Sequence, residues 1–107
     1  LYLFEAPIDM LSFISLHRDN WHRHSYAAAC GVSDQILFQM MKANPNIDTV
    51  YLCLDSDEAG QAANKRISDK LSIQGIKHEC LVPSLKDWNE VLLSDEQEEE
   101  LCPTLQF

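Results

Sequence analysis

The chain alternates short apolar runs with longer segments of helical period. Val50-Tyr51-Leu52-Cys53-Leu54 is apolar at successive positions, the pattern of a strand covered on both faces, and it stops abruptly at Asp55-Ser56-Asp57. The same pattern predicts strands at 1–4, 25–30, 49–54 and 76–82, the last more polar, hence at an edge, and broken by Pro83. Pro7 opens a first helix to about Leu16, with Ile8, Met10, Leu11, Phe13 and Ile14 as its buried stripe and Asp9 in its first turn. Ser33 is placed to cap a second helix, with Asp34 in its first turn, Ile36, Leu37, Met40 and Met41 on one face and Asn44-Pro45-Asn46 as its stop. In a third helix Ala59, Ala63, Ile67 and Leu71 recur at a stride of four, with Lys65, Arg66 and Lys70 toward solvent and Gly75 as the terminator. Gly60 costs about 1 kcal/mol relative to Ala inside a helix, so close backbone approach is the better reason for it. Val91-Leu92-Leu93 predicts a short docked helix, after which Ser94 and Gln97 resemble a capping box opening an acidic helix before Pro103.

Strands alternating with helices predict an α/β fold with a parallel sheet and right-handed crossovers, so that every strand ends on the same edge. Glu5, the Asp55/Asp57 pair and Lys86/Asp87 each follow a strand and fall on that edge. For Glu5 to face the aspartates the first and third strands must be neighbours, which gives the order 2-1-3-4 and a reversal between them, the place where open α/β sheets bind ligands. Two acids beside a chain reversal need water, donors or a cation, and hard oxygen ligands with an open side suit Mg²⁺. Taken alone, Asp-x-Asp also fits a solvated loop whose second acid caps a helix. Asp9 has a sufficient structural reason in the helix dipole, with metal binding as the alternative. The loop His17-Arg18-Asp19-Asn20-Trp21-His22-Arg23-His24 returns the chain to the opposite edge, so it reads as a solvated connection with Trp21 packed down rather than a metal cluster.

At 107 residues with 46% apolar content, the expectation is one domain, 1–107, without an apolar run near the roughly 20 residues of a membrane helix. The start lacks an initiator Met, a basic segment and a cleavage site, which reads as part of a larger cytoplasmic protein rather than a signal peptide. The net charge of −9 owes five of the 17 acids to Asp95, Glu96, Glu98, Glu99 and Glu100. An acidic domain does not attract phosphate backbones at long range, so affinity for nucleic acid has to come from bound metal or a neighbouring basic domain. Cys30, Cys53, Cys80 and Cys102 form no C-x-x-C pair, and the first three, in apolar runs, read as buried reduced thiols.

Glu5-Ala6-Pro7-Ile8-Asp9, Asp55-Ser56-Asp57-Glu58-Ala59-Gly60 and Lys86-Asp87, each after a strand, resemble the Toprim domain of bacterial primases, topoisomerases and some nucleases. The likeness covers nearly the whole chain and is nearest, through Lys86-Asp87-Trp88-Asn89-Glu90, to primase-like Toprim domains of bacterial mobile-element proteins. It implies a Rossmann-like three-layer domain and Mg²⁺-dependent, or Mn²⁺-dependent, nucleotidyl or phosphoryl transfer on nucleic acid, with DNA reached through further domains. It also implies Asp55 and Asp57 as metal ligands, Glu5 as metal ligand or general acid/base, Lys86 as a phosphate contact, and Asp9 and Asp87 as further acids of the site, for a second metal or in support of the first. Primases carry another acid where this chain has Asn89. A topoisomerase needs a nucleophilic tyrosine, whereas Tyr2, Tyr26 and Tyr51 all fall in predicted strands. A silent metal- or partner-binding module is the competing function. A haloacid-dehalogenase-type phosphatase expects Thr where Ala59 stands and its acidic pair after the first strand.

Overall fold

The structure, a computed structural model, describes residues 1–29 and 34–101, with side chains through Asp95. In chain order it runs β1 (Tyr2–Phe4), α1 (Pro7–Leu16), a 3-10 turn (Trp21–Arg23), β2 (Tyr26–Ala28), α2 (Gln35–Ala43), β3 (Thr49–Leu52), α3 (Glu58–Ile73), β4 (Lys77–Cys80) and α4 (Trp88–Leu101). The four strands form one parallel sheet in the order β2-β1-β3-β4, as the acidic edge required. Each strand is shorter than its apolar run. Cys53 and Leu54, beyond the end of β3, are nonetheless fully covered.

The unbroken run of β3 follows from layers on both faces. Val50, Leu52 and Leu54 join Leu1, Leu3 and Ala27 against Leu37 of α2 and Ala63, Ile67 and Leu71 of α3. Cys53 points the other way, with Phe4, into a second core closed by Phe13 of α1 and Trp88 of α4. On this second face the parallel register sets Tyr2 opposite both Tyr26 and Tyr51, and the three rings stack at centroid distances of 5.3 and 4.7 Å. Gly75, at φ +69°, ends α3 in the left-handed conformation that favours glycine.

Several local expectations are corrected. Helix α1 is rotated from its apolar stripe: Ile8 and Leu11 are 55% and 56% exposed, while Asp9, Ser12 and Phe13 are buried. The cause is α4 alongside, where the Asn89 N–H donates to Asp9 Oδ1 at 3.3 Å and Ser12 Oγ lies 3.3 Å from Asn89 Oδ1. Trp21 is 47% exposed instead of packed down. Ala59 is exposed in the first turn of α3, and Gly60 and Asn64 join the buried stripe. Asp34 precedes α2 and pairs with Lys70 of α3 rather than lying in the first turn, while the cap expected of Ser33 falls outside the described residues. Ser94 sits inside a continuous α4, so no second helix starts there. Cys53 is buried, but Cys80, on the edge strand β4, is exposed although its sulfur lies 3.7 Å from Ser68 Oγ of α3. Cys30 and Cys102 lie outside the described residues. Among the described residues no helix is long and apolar enough to cross a membrane.

Candidate metal centre

Three connections at the carboxyl edge carry the acids. Glu5 follows β1 directly, and Pro7 occupies the first position of α1 after an extended Ala6. Asp55 and Asp57 lie between β3 and α3, where Asp57 is the N-cap and its Oδ1 accepts the Gly60 N–H at 2.8 Å. Asp87 likewise uses Oδ1 to accept the Glu90 N–H at 2.9 Å in the first turn of α4. Asp57 and Asp87 therefore do act as caps, which engages one oxygen of each and leaves the other for the cluster.

Carboxylate oxygens of Glu5, Asp55 and Asp57 approach within 4.8 Å of one another, and so do those of Asp9, Asp55 and Asp87. Asp55 belongs to both groups and stands at the centre. Sequence reasoning thus named acids that the fold gathers, including Asp9, which is 4% exposed although it lies on a helix flank. Lys86 shares the loop of Asp87, but its side chain is exposed at the rim.

The chemistry of these oxygens fits a cation. Glu5 Oε1 and Asp55 Oδ1 are buried with no hydrogen-bond donor. Two such oxygens side by side are stable only with a proton or a cation between them. Burial first, then the charges of Glu5, Asp9 and Asp87, push the Asp55 carboxyl up to about 7. Burial also raises Asp9, against the bond it accepts from the Asn89 backbone.

Sequence reasoning missed the scaffold around the acids. The indole N–H of Trp88 donates to the Cys53 carbonyl at 3.1 Å, and the Gln61 side chain donates to the Asp55 carbonyl at 3.0 Å. Ser56 bonds across to residues 85 and 86. No spacing marks such links, because each joins a side chain to a backbone carbonyl. At the opposite edge Arg23, His24 and Ser25 line a polar cleft of about 310 Å³ with Asn44, Asp48 and Thr49, while His17, at the start of the histidine-rich loop, stacks on Phe13 at 4.3 Å.

A family model described as Toprim-like matches residues 2–92. An uncharacterized protein of Bacillus anthracis is 35% identical over 72 residues, covering 63% of this chain and 21% of that relative, so the match spans about a fifth of the relative's length. No solved structure gives a significant match.

Proposed function

This chain belongs to the Toprim-like family, and we propose that it is the divalent-metal-dependent catalytic domain of a longer protein, carrying out primase-like nucleotidyl transfer on DNA in replication or mobile-element processing. The observation that carries the metal part is the pair of buried, donorless oxygens, Glu5 Oε1 and Asp55 Oδ1, inside a cluster whose acids come from three separate loops and from α1.

Glu5, Asp55 and Asp57 would hold one Mg²⁺ or Mn²⁺, with Asp9 and Asp87 supplying acids for a second. Such an ion offsets charge on phosphate oxygens during phosphoryl transfer. Asp57 and Asp87 are held in place by the backbone N–H groups they cap. Glu5, at the end of a central strand, is the group placed to exchange a proton with an attacking or leaving hydroxyl. Lys86, exposed at the rim, is placed to meet a phosphate. The domain itself is acidic, so a DNA substrate is delivered by basic regions elsewhere in the longer protein.

The metal reading is tested by thermal unfolding. Millimolar Mg²⁺ or Mn²⁺ raises the midpoint beyond the effect of NaCl at equal ionic strength, by about 2.7 kcal/mol of stabilisation at 100 times the dissociation constant. Asp55→Asn with Asp57→Asn abolishes the excess, and asparagine keeps the N-cap of α3. Equal responses of wild type and the double variant reduce the cation to screening. The catalytic reading is tested by template-dependent primer synthesis with a protein carrying this domain: loss in Glu5→Gln is expected. Retained synthesis rejects the role of Glu5, and metal binding without any synthesis or cleavage leaves the silent module.

A further inference from the structure

We propose that Ser56, the residue between the two aspartates, is a positioning residue that holds the β4–α4 loop so that Asp87 faces Asp55; this rests on the metal-centre reading above. Its hydroxyl donates to the Leu85 carbonyl at 2.8 Å, with the Lys86 carbonyl 3.2 Å away, and its backbone N–H donates to Lys86 O at 2.8 Å. The loop it grips has no regular structure from residue 81 to 87, and Leu85 and Lys86 are exposed. Pro83 is buried, but residues 84–86 are exposed, so packing does not hold the stretch just before Asp87 and hydrogen bonds have to. The loop is anchored at its start by the Leu81 N–H on Leu52 O and at its end by Trp88 on Cys53 O. Between those anchors Ser56 bonds to Leu85 and Lys86, one residue before Asp87, where the Lys86 N–H also donates to Glu90 Oε2 at 3.2 Å.

The backbone bond is open to any residue but proline. The hydroxyl bond is not: alanine would leave the Leu85 carbonyl without that donor and release the stretch that carries Asp87. Asp87 keeps its own cap on Glu90, so α4 can form without Ser56, but the placement of the loop against Asp55 then loosens. A ligand acid held through hydrogen bonds behind it typically loses about tenfold or more in metal affinity when those bonds are removed.

The test is Mn²⁺ binding by calorimetry, with thermal unfolding in EDTA, for wild type, Ser56→Ala, Ser56→Thr, Asp87→Asn and the Ser56→Ala/Asp87→Asn pair. Ser56→Ala is expected to weaken Mn²⁺ about tenfold. Ser56→Thr, which keeps the hydroxyl, restores most of the affinity. Asp87→Asn costs affinity in wild type and distinctly less beside Ser56→Ala, because the acid is already misplaced there. If Ser56→Ala lowers only the melting midpoint and Asp87→Asn weakens Mn²⁺ equally in both backgrounds, Ser56 is merely structural and the proposal fails. Saturable Mn²⁺ binding unmoved by Ser56→Ala removes this inference alone. No saturable binding in wild type removes the metal centre and this role with it.

Discussion

The Asp55 carbonyl lies against the α carbon face of Gly60: an ideal Cβ at Gly60 would come 2.1 Å from Asp55 O and 3.0 Å from Glu5 Oε1. The first turn of α3 and the acidic loop are thus in direct backbone contact, and a rotamer change cannot relieve the clash. Gly60→Ala gains about 1 kcal/mol of helix propensity but is overpacked by about 3 kcal/mol. A net loss of about 2 kcal/mol lowers the melting midpoint by about 8–16 °C. An unchanged or higher midpoint in calorimetry would show that the loop can move away freely.

Stability without metal should depend on pH through Asp55. Its folded carboxyl is pushed up to about 7 by burial and then by Glu5, while an unfolded aspartate titrates near 3.9. Between these values the folded chain binds more protons than the unfolded one, so stability falls as pH rises from about 4 to about 7 and then levels off. Burial raises Asp9 in the same direction. In EDTA the wild-type midpoint therefore declines across this window, and Asp55→Asn flattens the decline and is the more stable protein at pH 8. A wild-type midpoint that rises from pH 5 to 8 would contradict the assignment.

Protons compete with the cation for the same oxygens. Mn²⁺ affinity should strengthen from pH 6 to pH 8 and change little above that, as Asp55 no longer needs to lose a proton. Calorimetry in two buffers of different ionisation enthalpy should show proton release at pH 6 and little at pH 8.

Trp88 couples the second core to the loop after β3. Its ring meets Phe13 edge-on at 4.9 Å, and its N–H satisfies the buried carbonyl of Cys53. Trp88→Phe keeps most of the apolar contact and leaves that carbonyl unpaired, at about 1–3 kcal/mol. Denaturant unfolding checks this, and a loss below about 0.5 kcal/mol would mean that the carbonyl finds another donor.

Thiol reactivity separates two neighbouring strands. Cys80 is exposed, and brief alkylation of the native protein followed by peptide mapping should modify it within minutes. Cys53 is fully covered and its thiol is raised by burial, so it should label only as the chain unfolds. Equal native labelling of both would mean that the Phe4–Trp88 core is open.

Local pattern determined the parallel sheet and the edge that carries the acids, and the requirement that Glu5 face the aspartates then determined the strand order. A run such as Val50 to Leu54 is stable only with helices on both faces, which implies a parallel sheet, and a parallel sheet puts every strand end on one edge. Gly60 was legible because a helix tolerates glycine poorly without a steric reason, and the Asp55 carbonyl is that reason. What periodicity misassigned was the orientation of α1. Its apolar residues span most of its circumference, so the buried side was decided by α4, about 80 positions away in the chain, which took Asp9 and Ser12 inward by offering them polar partners. The exposure of Cys80 was equally non-local, since an apolar neighbourhood in sequence does not say how completely the rest of the fold covers an edge strand. The grip of Ser56 on residues 85 and 86 depends on two loops that only the packed sheet brings together, and hydrogen bonds to backbone carbonyls leave no mark in side-chain pattern. Sequence determined which chemistry arrives at the edge, because that follows from period and strand ends. Tertiary structure decided how tightly each acid is held, because that depends on partners contributed by distant segments.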